Sequence, residues 1–176
     1  MSSVVRIRVS LADRAGALGQ AATVIGLHGG NILSIDVHGT DGSLAIDDLV
    51  VDFALEPAME DLVADLAMAA ATIVLHSEPS APVDPLTAVL TALRFVPGHR
   101  PHLTEVLDVI CPFTEWSTAT GAPGPAPDGT VQIVVPMPGS DESLVGRRPA
   151  GMAFTATEWA RVDAAAHLGA SVGLTV

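Results

Sequence analysis

The stretch VVRIRVSLADRAGALGQAATVIGLHGGNILSIDV, from Val4 to Val37, decides the fold. It opens on strict alternation: Val5, Ile7, Val9 and Leu11 interleave with Val4, Arg6, Arg8 and Ser10. That period of two belongs to a strand with one buried face. The period then changes. Leu18, Ala21, Ala22 and Ile25 recur at i, i+3, i+4 and i+7, which predicts a helix beginning near Ala15 and ended by His28-Gly29-Gly30, a glycine stop. Alternation resumes with Leu33, Ile35 and Val37 opposite Ser34, Asp36 and His38, a second strand.

Working outward, Gly39-Thr40-Asp41-Gly42 supplies a hairpin turn, its Asp-Gly pair tolerating positive φ. Leu49, Val51 and Phe53 mark a third strand. Pro57 opens a second helix with the stripe Met59, Leu62, Val63 and Leu66, and Thr72 to His76 forms a short last strand. The order β-α-β-β-α-β predicts an α+β fold of ferredoxin-like type, both helices on one face of a four-stranded antiparallel sheet. In that topology the first strand lies beside the third and the second is an edge. Arg6 and Arg8 then share the outer face with Asp48 and Asp52, a face read here as solvated and charge-matched.

Glu78 to Pro85 (EPSAPVDP) holds three prolines and little that is apolar, so it reads as a boundary. The expected organisation is a first domain over 1–78, a Pro-rich linker over 79–85 and a small α+β region over 86–176. In that region Leu86, Val89, Leu90 and Leu93 make a short amphipathic helix. Another begins at Pro101, with Val106, Val109 and Ile110 inward. Cys111 to Ala119 is extended, Gly121 to Gly129 is a loop, and Val131 to Val135 is a buried strand. Thr155 and Glu158 have capping-box spacing at the head of a last helix, with Trp159, Val162, Ala166 and Leu168 following its inward side.

The chain has 176 residues, 49% of them hydrophobic and 16% charged, enough to bury a core and too apolar for disorder as its main state. Its eight basic residues, all Arg, face twenty acidic ones. The net charge of -12 argues against a nucleic-acid duplex or an anionic membrane as partner. No apolar run approaches the ~20 residues of a membrane span, and the start is no signal peptide. With a single cysteine, Cys111, a cytoplasmic location is expected. The absence of Lys and Tyr beside abundant Ala, Gly, Val and Pro reflects a GC-rich coding bias, so Ala runs carry little functional information.

The segments DRAGALGQ at Asp13 to Gln20 and HGGNILSI at His28 to Ile35 resemble an ACT domain, over roughly Val4 to His76. The departure is Ala15, where the family usually has proline before the glycine. The resemblance implies a module that senses amino acids and regulates enzymes or transcription. It also implies a homodimer, with the ligand held where the first loop of one subunit meets the start of the second strand of its neighbour. The residues implied are Ala15, Gly16, Ala17, Leu18, Gly30, Asn31 and Ile32. The chemistry fits: unpaired N–H groups at a helix head attract a carboxylate. Gly16 allows close approach, and Asn31 both donates and accepts. Plainer roles stay open beside these, with Asp13 as a helix cap and the glycines as turn residues. GMAFTATEWARVDAAA, the tail from Gly151, resembles the closing helix of a GAF domain, a shortened remnant expected to pack against a partner or the first domain.

No catalytic constellation is visible: there is no Gly-x-Ser-x-Gly, phosphate loop or dinucleotide fingerprint. His99 and His102 flank a proline with no third ligand nearby, and Cys111 precedes Pro112 with no adjacent base, so a loop pair and a buried inert thiol are expected. Arg147 and Arg148 read as an exposed loop pair. RNA recognition by the same strand order needs aromatic residues on the sheet, and Phe53 stands alone in the first half. The expectation is a non-enzymatic protein, without metal or cofactor, that either senses an amino acid through a dimer or serves only self-association, with a protein partner possible as the output.

Overall fold

The computed structural model describes residues 3–41, 43–55, 57–69, 72–77, 89, 93 and 102–174; of residues 40–41 and 72–77 it describes the backbone alone. The chain divides into two compact units, Met1–Pro82 and Val83–Val176. The Pro-rich linker read at 79–85 lies outside the described residues, as do Leu86, Leu90 and His99.

In the first unit β1 (Ser3–Ala12), α1 (Ala17–Leu27), β2 (Gly30–Asp41), β3 (Leu44–Phe53), α2 (Met59–Ala67) and β4 (Thr72–Ser77) follow in that order. They form a four-stranded antiparallel sheet ordered β2-β3-β1-β4. Alternation places the core as the pattern requires: Val5, Ile7, Val9 and Leu11 of β1 join Leu49, Val51 and Phe53 of β3 under Ala17, Ala21 and Ile25 of α1 and Leu62 and Leu66 of α2. Gly29, at φ 78°, ends α1 just after the His28 cap. Asp41 pairs with Leu44, so the chain reverses later than Gly39–Gly42 suggested. Leu33, Ile35 and Val37 are exposed, because β2 is an edge strand; its register shifts between Ile32 and Ser34, leaving Leu33 without an opposite residue on β3.

The outer face departs from the solvated reading. Arg8 lies opposite Asp48 as expected, and its Nε and Nη2 donate to the two carboxylate oxygens at 2.7 and 2.9 Å, yet both residues are buried. His38 Nε2 stands 3.0 Å from Asp48 Oδ2, and it is buried too. Burial pushes the Asp48 carboxyl up, but the hydrogen bonds from Arg8 and His38 outweigh it and hold the group below the ordinary aspartate value.

The second unit contains α3 (Leu103–Ile110), β5 (Glu115–Thr120), β6 (Thr130–Pro136), β7 (Glu142–Pro149) and α4 (Ala156–Val172). Its antiparallel sheet is ordered β5-β7-β6. Leu103, Val106, Leu107, Ile133, Val135, Leu144, Val162 and Ala166 form its core, with Cys111 buried among them. Central strand β7 takes in Arg147 and Arg148, so Arg148 is no exposed loop residue. The residue is 2% exposed, and its guanidinium donates to Glu158 Oε1 and Oε2 at 2.8 and 2.6 Å and reaches the Met152 and Ala153 carbonyls. Thr155 and Glu158 form the expected capping box. Trp159 and Leu168 are exposed, and the inward side of α4 is Glu158, Val162, Ala165, Ala166 and Gly169. No helix among the described residues is long and apolar enough to cross a membrane.

Candidate functional site

The head of α1 is built from the loop after β1. The Asp13 N–H donates to the Ser43 carbonyl at 2.8 Å, tying this loop to the entrance of β3. Gly16 is the N-cap at φ 85°, a left-handed conformation in which a side chain is strained, so the helix starts at Ala17 and not near Ala15. No side chain caps it, and its first turn has no acidic residue. Asp13 is therefore not the cap. The Ala17 N–H donates to the Arg14 carbonyl and the Gln20 N–H to that of Gly16, which leaves Leu18 and Gly19 as the donors the first turn does not use. Ala15 and Gly16 are exposed, Ala17 is buried, and Leu18 packs against the core.

Gly30, Asn31 and Ile32 lie at the other end of the same helix. Gly30 pairs with Phe53, and a Cβ there would stand 2.6 Å from Ile25 Cγ2 and 2.8 Å from Phe53 Cε1 and Val51 Cγ1; its glycine is a packing requirement of the strand, not a turn residue. Asn31 is exposed and Ile32 half-buried. Eleven residues of α1, about 16 Å at 1.5 Å per residue, separate this group from Gly16. Within one chain the expected site residues therefore fall into two groups that do not meet.

One residue of β3 escaped the sequence reading. Asp47 lies opposite Val9 on β1 and Val37 on β2, on the helix side of the sheet. It is 3% exposed, and its Oδ1 has no hydrogen-bond partner. Burial raises its carboxyl above the ordinary value; nearby His38 opposes that, while Asp48 and Asp36 add to it. The signal was available, since Asp47 stands in phase with Leu49, Val51 and Phe53, where alternation demands apolar residues. Among the described residues no cluster of three or more His, Cys, Asp or Glu is placed to hold a metal ion.

No curated protein matches the chain by sequence. Two solved structures are similar over most of their length. One is an unknown protein from Galdieria sulphuraria, 13% identical, covering 98% of this chain and 95% of that one at a TM-score of 0.39. The other is the ligand-free regulatory subunit of aspartate kinase from Thermus thermophilus, 12% identical, covering 93% and 92% at a TM-score of 0.36. The family that residues 5–67 of this chain match is the ACT domain.

Proposed function

We propose that this protein is a non-catalytic regulatory protein that binds a small molecule of the amino-acid class through a dimer of its ACT-like unit. The observation that carries the reading is the separation of the two residue groups by the length of α1. Unused donors at Leu18 and Gly19 and the Gly30–Ile32 segment can share a ligand only if a second copy supplies one of them. Strand β2 is a sheet edge carrying exposed Leu33, Ile35 and Val37, a surface suited to pairing with another strand. Antiparallel pairing of two β2 edges about a two-fold axis sets the start of one β2 beside the end of the other, at the end of the sheet where α1 begins. The ligand carboxylate then meets the helix head and Asn31 of the second copy orients it.

The second unit, whose closing helix resembles that of a GAF domain, is assigned here as the part that passes the bound state to a partner protein in the cytoplasm. Regulation requires that the ligand bind two states of the dimer unequally.

A thermal-shift screen of the twenty free amino acids tests the reading, with molecular mass measured in parallel. Ligand at about 100 times its Kd adds roughly 2.7 kcal/mol, and the melting temperature rises by several degrees. A dimer with a flat response to all twenty leaves self-association alone, and a monomer removes the site.

A further inference from the structure

The position of Asp47 relative to α1 follows from the packing. The helix returns from the end of β1 to the start of β2, so it runs in the direction of β3. Ile25 packs against Val51 and Phe53, as the crowding around Gly30 shows. One helical step of four residues is about 6 Å, and one strand step of two is about 6.7 Å. Counting back from Ile25, Ala21 stands at the level of Leu49 and Ala17 at the level of Asp47. By this count the Asp47 carboxylate, whose Oδ1 has no hydrogen-bond partner, lies under the first residue of α1, at the positive end of its dipole and below the unused donors of Leu18 and Gly19. Beyond it on the same face, the edge residue Val37 is 57% exposed, so this corner opens toward the β2 edge.

We infer that Asp47 reads the amino group of the ligand, making the site selective for a zwitterion over a plain carboxylic acid. This rests on the reading of the α1 head as a ligand site and adds the second pole of that ligand. The helix head attracts an anion, but by itself it accepts any carboxylate. An ammonium group two bonds away from that carboxylate can turn toward the sheet and donate to Asp47 Oδ1, the oxygen that no protein group satisfies. A buried carboxylate without a partner is costly, and an incoming cation offsets that cost only in the bound state.

The test uses the full chain and pairs each amino acid that raises the melting temperature with the same skeleton lacking the amine, for example L-alanine with propionate and L-valine with isovalerate. In the wild type we expect the amino acid to bind at least tenfold tighter than its amine-free counterpart. Asp47→Asn, which keeps the shape and removes the charge, should bring the two within about twofold, its fold checked by far-UV circular dichroism. If the wild type binds both members of a pair equally, the inference fails without any variant being needed. It fails also if Asp47→Asn keeps the tenfold preference. A flat response to every compound ends the ligand reading itself, and this inference with it.

Discussion

Two helix heads sit at the edges of the two cores, and they are finished differently. The head of α4 is closed. Thr155 Oγ1 accepts from the Glu158 N–H at 3.1 Å, the Glu158 carboxylate accepts from the Thr155 N–H at 2.9 Å, and Arg148 neutralises that carboxylate inside a fully buried site. The Cys111 Sγ adds a further contact to Glu158 Oε1 at 3.7 Å. The head of α1 is open, with a glycine cap and no acidic residue in its first turn, and Asp47, inferred above to lie below it, has an Oδ1 that no donor reaches. A buried acid is tolerated when its lone pairs are filled. Glu158 fills them from its own chain, and Asp47 leaves the role to something else. The difference sets a structural polar site apart from the one proposed above for binding.

The contrast breaks first at Arg148. Replacing it with Met leaves Glu158 charged, buried and without its cation, a class of change that costs about 3–5 kcal/mol. We expect denaturant unfolding of Arg148→Met to show that loss in the second unit, and the double variant Arg148→Met/Glu158→Leu to recover much of it. A loss under 1 kcal/mol for the single variant would mean that Glu158 is not held as an ion pair. The Thr155 half of the box is worth about 1 kcal/mol on its own.

A smaller effect distinguishes the two glycine sites of the first unit. Gly30→Ala drives a methyl into three core side chains at 2.6 to 2.8 Å, an overpacking that costs about 1–3 kcal/mol. Gly16→Ala meets nothing within 4 Å and suffers only from its φ of 85°, about 1–2 kcal/mol. A Gly30→Ala variant as stable as the wild type would place Gly30 away from the core.

Much of this was readable beforehand, and the failures have definite causes. The first unit follows its own periodicity, because β1 and α1 each bury one apolar face and β3 does so from Leu49 to Phe53. Strand β7 escaped: Glu142, Gly146, Arg147 and Arg148 interrupt its apolar residues, and it is nonetheless the central strand, since Gly146 makes room for Trp116 and Ile133 and Arg148 brings its own partners. The burial of Arg8, His38 and Asp48 was equally hidden, because alternation gives the face a side chain points to and not what lies over it. At the candidate site Gly16 and Asn31 were marked by their residue types. Asp47 was not, since its meaning lies in a missing hydrogen bond that only the fold exposes.

The open head also has a pH signature. Burial raises Asp47 in the folded chain, so folding disfavours its charged form; that penalty is complete above the raised folded value and disappears as the pH falls through it toward the unfolded one near about 4. Asp48 has the opposite sign: its contribution is complete above about 4 and is lost as the pH falls through its lowered value. Asp47→Asn should therefore raise the melting temperature at pH 7, and the gain should shrink on titration toward pH 4. A gain independent of pH, or a loss at pH 7, would show that the carboxylate has a protein partner after all.

The smallest expected effect is the most direct check that the α1 head is uncapped. Asp13 precedes the helix in the position where an acid often caps, but it bonds through its backbone N–H to the Ser43 carbonyl, which any residue but proline supplies. Its side chain is exposed and gives α1 no cap hydrogen bond. Asp13→Ala should then change stability by no more than about 0.5 kcal/mol, below the cost of the same truncation at Thr155. A carboxylate so close to the helix head repels the carboxylate pole of the proposed ligand, so the same variant should bind a responding amino acid slightly tighter, and the more so at low ionic strength. A stability loss near 1 kcal/mol would instead make Asp13 the cap, close the head of α1 as Glu158 closes that of α4, and erase the difference between them.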